Sequence, residues 1–152
     1  EQLLSEAEQA LGSAQYLRVM DLLDEAAAIA ELGEGPMALR DQATVALEYL
    51  REERDLFDQG DWEYALPGLW RMHENNPDNP DVIRLMIDSY YNLGLRDLQR
   101  GDAPSALEKF QEALALTEGD AELERLASFA AAYSQRSADM LYRIFVKYQK
   151  FR

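Results

Sequence analysis

The chain of 152 residues contains no cysteine and only one histidine, His73. The lack of cysteine excludes disulfide bonds and thiolate metal sites, and a single histidine leaves a zinc site without its usual ligands. The sequence also lacks the glycine-rich phosphate loops, the G-x-S-x-G nucleophile elbow and the D-x-D-x-D-G calcium loop. We therefore expect no bound metal, no cofactor and no enzymatic activity.

Positive charge is also scarce, because 15 Lys and Arg residues stand against 29 Asp and Glu residues, for a net charge of -14. Such a chain repels phosphate backbones, so we expect no nucleic-acid partner. The charge is unevenly distributed, at -10 over residues 1–60, -7 over residues 61–120 and +3 over residues 121–152. The C-terminal part is thus a separate electrostatic unit, and its basic edge (Arg143, Lys147, Lys150) could lie against the acidic remainder.

No apolar run approaches the roughly 18 residues that a membrane-spanning helix needs, so we expect no membrane insertion within this chain. Its length predicts one domain over residues 1–152. The chain begins Glu-Gln-Leu-Leu without Met, and we interpret it as a domain of a longer protein whose other parts could include a membrane anchor. The compartment is not fixed by the sequence, although a cytoplasmic location is favoured.

Apolar residues recur at helical spacing along nearly the whole chain, and valine and isoleucine are scarce. The fold class is therefore predicted to be all-α. Glycine, proline and asparagine interruptions predict helices near 2–12, 15–32, 36–59, 62–75, 80–100, 103–118, 121–135 and 137–150. The last two could form one helix, because no glycine or proline separates them.

Three Gly-Asp pairs occur, and two of them are followed by a small residue and a large apolar residue at the same spacing: Gly60-Asp61 with Ala65 and Leu69, then Gly101-Asp102 with Ala106 and Phe110. The third pair is Gly119-Asp120. In each pair the glycine predicts the end of one helix, and the aspartate predicts the N-cap of the next. A motif that recurs in this way is typical of a helical-repeat scaffold.

These segments resemble tetratricopeptide repeats, in which an aromatic-x2-Leu-Gly helix precedes an Ala-x3-Phe-x2-Ala helix. The best match is Tyr90-x2-Leu93-Gly94 followed by Ala106-x3-Phe110-x2-Ala113, and weaker matches surround Ala65-x3-Leu69 and Val19-x3-Leu23. The resemblance implies an α-α superhelix, a solenoid of about three hairpins at residues 1–34, 36–79 and 80–119, with capping helices at 120–152. The spacings of 46 and 41 residues exceed the family's 34, so the repeats are elongated. A generic α-α solenoid or an irregular helical bundle is the alternative.

Arrays of this family line a concave groove with the first helix of each hairpin. Carried over by position, the peptide- or partner-binding residues would be Leu50, Arg54, Phe57, Asp88, Tyr91, Asn92 and Leu95, with Leu47 and Leu98 beside them. Arg54 is the only clear cation in this set and Asp88 opposes it, so the family's clamp on a peptide carboxylate is not expected. A basic or apolar helical segment is the expected partner. Alternatively, the apolar and aromatic members of this set simply face the core.

The C-terminal segment offers a second candidate surface, because it has more apolar positions than one helix face can bury. Leu141, Phe145 and Tyr148 are candidates for docking or self-association. The alternative is a helix that caps the last repeat. The sequence thus predicts a non-enzymatic scaffold that binds a peptide or helix in a groove. The alternative is an assembly element of a larger multidomain protein, in which the chain could form a homo-oligomer.

Overall fold

A computed structural model describes residues 1–134 and 140–152 of the chain. These residues form α-helices and no strand, which confirms the all-α fold class. The helices are α1 (Gln2–Gly12), α2 (Tyr16–Ile29), α3 (Glu34–Ala46), α4 (Arg51–Asp58), α5 (Trp62–Asn75), α6 (Pro80–Gln99), α7 (Ala103–Leu114), α8 (Ala121–Ala132) and α9 (Met140–Lys147). Over the same residues, no helix combines the length and the apolar character that crossing a bilayer requires.

The helix predicted over 36–59 is wrong in one respect, because it is interrupted between α3 and α4. A 3₁₀ turn occupies Glu48–Leu50, where the Leu50 N–H donates to the Leu47 carbonyl at 2.9 Å. With three residues per turn, 3₁₀ geometry places Leu47 and Leu50 on one side, and both side chains are fully buried. The predicted end of a helix at residue 135 and start of the next at 137 lie outside the described residues.

The chain divides into two compact units. Unit 1 comprises residues 1–52 and 78–81, and unit 2 comprises residues 53–77 and 82–152. These limits cross the predicted repeat boundaries, because the short segment 78–81 belongs with the first unit. That the chain is a single domain of three hairpins and a cap stays a prediction.

In unit 1, α2 packs against α1 and α3 around a small core that includes Val19, Leu22 and Leu23. The N-terminus of α2 has no capping bond from its own N-cap residue, Gln15. Instead the buried carboxylate of Asp81 accepts hydrogen bonds from the backbone N–H groups of residues 16 and 17, at 3.1 and 3.0 Å. A residue more than sixty positions away thus satisfies the first donors of α2 and ties segment 78–81 to this unit.

In unit 2, the Gly-Asp pairs at 60–61 and 101–102 form the same turn. Gly60 and Gly101 adopt φ values of 82° and 81°, which a side chain would strain. At each turn the glycine and aspartate N–H groups bond back to carbonyls of the preceding helix, the arrangement of a Schellman motif. The Asp102 carboxylate caps α7 by accepting from the Ser105 N–H at 3.0 Å, as predicted. The predicted side-chain cap by Asp61 is wrong, because that carboxylate makes no capping bond to α5.

Helices α6 and α7 approach closely at Gly94. A Cβ atom built on Gly94 would lie 2.5 Å from the Phe110 ring, which is fully buried. Ala106 and Ala113 are also fully buried on α7. Ala106 and Ala113 therefore lie in the core of unit 2, and the absence of a side chain at Gly94 allows α6 and α7 to approach each other.

Substituting Gly94→Ala should destabilise unit 2. The added methyl group has no space beside Phe110, and overpacking of this kind costs about 1–3 kcal/mol, more than the helix propensity that alanine gains. The measurement is the free energy of unfolding in urea. Gly35→Ala is the matched control, because a Cβ there meets nothing within 4 Å, and it should leave stability unchanged or slightly higher. Equal stability of Gly94→Ala and the wild type would show that the ring can move aside.

Candidate functional site

Segment 148–152, which follows α9, lies on α6 within unit 2 and is held through its backbone. The Asn92 side chain bonds both polar backbone groups of Arg152: its Oδ1 accepts from the Arg152 N–H at 2.7 Å, and its Nδ2 donates to the Arg152 carbonyl at 3.1 Å. The Tyr91 hydroxyl donates to the Lys150 carbonyl at 3.2 Å. Asn92 is fully buried and Tyr91 nearly so. These bonds recognise main-chain atoms, as a protein does when it binds a peptide.

The Arg152 guanidinium enters an acidic pocket. It contacts both carboxylate oxygens of Asp120 at 3.0 and 3.1 Å, and it lies 3.5 Å from Asp88 and 3.8 Å from Glu122. The Arg152 side chain is 24 % exposed and that of Asp88 is 16 % exposed, so solvent screens these pairs less than ordinary surface pairs. Three carboxylates therefore lie within 4 Å of one guanidinium, and Asp88 also lies 3.7 Å from Arg84.

Aromatic rings complete this site. The Arg152 guanidinium lies 4.2 Å from the Tyr91 ring centroid, a cation–π geometry. The Phe151 ring lies 5.0 Å from that of Trp62, which also contacts Phe57 at 6.4 Å. Phe151 is nevertheless 44 % exposed. Over the described ranges, the buried Trp62 Nε1 has no hydrogen-bond acceptor.

The electrostatics of the site follow from burial and from its charges. Burial raises the pKa of Tyr91, and the neighbouring Glu122 raises it further because a phenolate would face a carboxylate. Burial alone would lower the pKa of Arg152, but bonding to Asp120 and the nearby acids outweighs it, so the pKa is raised. The phenol therefore stays neutral and the guanidinium stays charged at physiological pH.

Helix α9 anchors segment 148–152 to unit 2. Tyr142 and Val146 are buried in the core, and the Tyr142 hydroxyl donates to the Leu98 carbonyl at 2.5 Å. Phe145 stacks on Phe129 with centroids 3.8 Å apart. Of the three residues predicted for docking or self-association, Phe145 is therefore half-buried, whereas Leu141 and Tyr148 are 63 % and 72 % exposed.

The predicted binding residues separate into two groups. Asp88, Tyr91 and Asn92 all contact Arg152, and Tyr91 also contacts Lys150. Phe57 lies beside this site because its ring contacts that of Trp62. The others do not join this site: Leu50 is a fully buried residue of unit 1, Leu95 is a fully buried core residue of unit 2, and Arg54 is half-buried on α4. The two leucines are fully buried in this conformation, and their role in binding stays a prediction.

Five residues of the site were missed by the sequence analysis: Trp62, Asp120, Glu122, Phe151 and Arg152. The available signal was the charge contrast between the C-terminal part and the rest of the chain. The analysis did expect basic residues there to lie against acidic ones, but it named Arg143, Lys147 and Lys150. The ion pairs are made by Arg152, and Lys150 contributes its backbone carbonyl.

His73, the single histidine of the chain, packs against an aromatic ring of its own helix. Its ring meets the Trp70 ring edge-on at 5.6 Å, and its Nδ1 is buried without a partner in the part of the chain that the structure describes. Within residues 1–134 and 140–152 there is no cluster of three or more histidines and carboxylates arranged to hold a metal ion.

No family model, curated protein or solved structure matches this chain. The resemblance to tetratricopeptide repeats therefore stays a prediction that rests on the residues quoted above.

Substituting Asn92→Ala should release segment 148–152. The change removes two hydrogen bonds to Arg152, worth about 0.5–1.5 kcal/mol each, so the segment should open about tenfold more often. The measurement is the rate of trypsin cleavage between Lys150 and Phe151. Asn75→Ala, an exposed position on α5, is the control and should cleave at the wild-type rate. An unchanged rate in Asn92→Ala would mean that the side chains of the segment alone hold it.

The stability of Asp88→Asn relative to the wild type should depend on pH. Burial raises the pKa of Asp88, and Arg84 and Arg152 offset only part of this. Because the folded pKa lies above the unfolded one, ionisation of Asp88 costs stability, and this cost is absent below the unfolded pKa and complete above the folded pKa. Thermal unfolding should therefore show Asp88→Asn as the more stable protein at pH 7, with the difference vanishing as the pH falls toward the ordinary aspartate value.

The control for this pH series is Asp58→Asn, an exposed carboxylate on α4, which should track the wild type at every pH. If Asp88→Asn were instead less stable at pH 7, attraction to the two arginines would outweigh the burial cost.

Proposed function

We propose that this chain is a non-enzymatic protein–protein interaction module that binds a peptide segment on the α6 face of unit 2, through Asp88, Tyr91 and Asn92. The observation that carries the proposal is the pair of bonds from the buried Asn92 side chain to the N–H and carbonyl of one residue. A buried amide whose N–H and carbonyl oxygen both bond to the main chain of one residue is suited to holding an extended peptide segment.

The chemistry of the surface supports a peptide partner over other ligands. Its bonds to Lys150 and Arg152 use main-chain atoms that every peptide has. Its acidic pocket and aromatic rings add side-chain selectivity for a basic or aromatic residue. The net charge of -14 would attract basic partners during encounter, which raises association rate more than affinity.

The proposed scaffold is a divergent tetratricopeptide-like array of helical hairpins. Three features support it: the identical turns at Gly60 and Gly101, the close approach at Gly94, and the packing of α7 against α8. The small and large residues of the repeat pattern, Ala65, Leu69, Ala106 and Phe110, are all fully buried. Each of these is what a stacked hairpin array would require.

A second candidate function is assembly of a larger protein through α9. The observation in its favour is the exposed apolar row on this helix and just after it: Met140, Leu141, Ile144 and Tyr148 are between 48 % and 74 % exposed. A row of this kind is suited to a second helix, from another copy or another domain. The oligomeric state of the chain separates the two candidates.

The peptide-binding function can be tested with a random peptide display library. Because segment 148–152 uses the same Asn92 bonds in the wild type, the comparison is made on Arg152→Ala, which lacks the guanidinium contacts that hold the segment. Peptides selected on Arg152→Ala should bind the double variant Arg152→Ala/Asn92→Ala about tenfold more weakly, because it lacks the bonds to the peptide backbone. Arg152→Ala/Asn75→Ala is the control and should bind them like Arg152→Ala. Selected peptides that bind the Asn92 double variant equally well would place the binding surface elsewhere, and the absence of any selected peptide on the wild type or on Arg152→Ala would contradict the function itself.

A further inference from the structure

We infer that the α6 site recognises an aromatic–arginine pair in a partner peptide, and that Phe151–Arg152 of this chain is an intramolecular competitor that must leave before the partner binds. This inference rests on the proposed function and adds the ligand chemistry and the regulation of the site. It is drawn from how this chain's own segment is bound, one feature at a time.

The pocket is built for arginine rather than for a cation in general. One guanidinium simultaneously contacts Asp120 and Asp88 and lies 4.2 Å from the centroid of the Tyr91 ring. A planar, delocalised guanidinium can make all of these contacts at once, whereas the lysine ammonium is a point charge with no face to lie on the ring. The preceding residue is selected by Trp62, whose ring contacts that of Phe151.

The bound segment does not use the whole site. Phe151 remains 44 % exposed, and the buried Trp62 Nε1 has no acceptor in the described part of the chain. The bound Arg152 faces three carboxylates, Asp88, Asp120 and Glu122, of which Asp88 also pairs with Arg84. A basic peptide that covers the aromatic ring more fully, or supplies an acceptor to the indole, would therefore bind the same site more tightly than segment 148–152 does.

Attachment to the same chain explains why an external peptide is excluded at first. A tethered segment is present at its own site at an effective concentration on the order of a millimolar. A free peptide of equal intrinsic affinity at micromolar concentration does not displace it, because its apparent affinity falls with the fraction of open sites. Binding in trans thus requires a better ligand or a change that weakens the internal contact.

The test uses the full chain and a labelled peptide, acetyl-Tyr-Gln-Lys-Phe-Arg-amide, which has the sequence of residues 148–152. Arg152→Ala removes the internal competitor's anchor and should bind this peptide at least about tenfold more tightly than the wild type. Arg143→Ala, which loses the same charge from an exposed position on α9, should bind it like the wild type. A peptide whose final arginine is replaced by lysine should bind Arg152→Ala about tenfold more weakly.

A second measurement needs no variant. An excess of the peptide added to the wild type should accelerate amide hydrogen exchange in segment 148–152, because the peptide traps the open site. If Arg152→Ala keeps the wild-type circular dichroism and melting temperature but gains no affinity, and exchange is also unchanged, the competition is wrong.

The remaining outcomes separate this inference from the function on which it rests. Library peptides that bind Arg152→Ala but lack an aromatic–arginine pair would overturn the ligand chemistry and leave the binding function intact. No binding by any peptide to wild type or Arg152→Ala would overturn the function as well. A dimer in sedimentation of the wild type that Arg152→Ala abolishes would show that the segment is exchanged between copies, which overturns the intramolecular contact.

Discussion

The organisation of unit 2 around its candidate site depends on one buried amide. Asn92 has no exposed surface, and burying an amide without partners costs about 4–8 kcal/mol on the cyclohexane transfer scale and about 0.5–2 kcal/mol on the octanol scale. Its donor and its acceptor are both satisfied by the backbone of Arg152. Because that pairing fixes the path of segment 148–152, it also fixes the positions of the Arg152 guanidinium and the Phe151 ring. The guanidinium reaches the carboxylates of Asp88 and Asp120, and the neighbouring ring reaches Trp62.

The uneven charge along the sequence has a structural counterpart in this contact. The most acidic stretches precede residue 121, and the basic stretch follows it. Arg152 belongs to the basic stretch, and its guanidinium contacts Asp120 at the end of the acidic stretch. Helix α9 holds Arg152 in place through the buried Tyr142 and Val146. Opposite charges that are far apart in sequence therefore meet at short range, where the low exposure of both partners makes the attraction stronger than that of surface pairs.

The sequence predicted the parts of the fold that have local causes. Positive-φ glycines at positions 60 and 101, the Asp102 cap and the small residue at Gly94 all act within a turn or against an adjacent helix, so their patterns are legible. The interruption at Glu48–Leu50 was missed because it depends on burial of two leucines and has no glycine or proline to mark it. The cap of α2 by Asp81 was missed because partners more than sixty residues apart leave no periodic trace.

The difference between local and long-range causes also explains how much of the site was predictable. Asp88, Tyr91 and Asn92 were named together because the resemblance to tetratricopeptide repeats assigns the first helix of each hairpin to a groove, and successive turns of α6 present them on that helix. Their occupant was not found, since a pairing between α6 and a segment almost sixty residues later follows from shape and charge in three dimensions. The sequence predicted a surface that awaits a partner, whereas in the structure Asp88, Tyr91 and Asn92 of this surface already contact the chain's own segment 148–152. When an external peptide binds such a site, it replaces segment 148–152. The free energy of binding is therefore the difference between the peptide-bound state and the state in which the segment is bound. Selectivity then depends on what a ligand adds beyond the contacts that Phe151 and Arg152 already make.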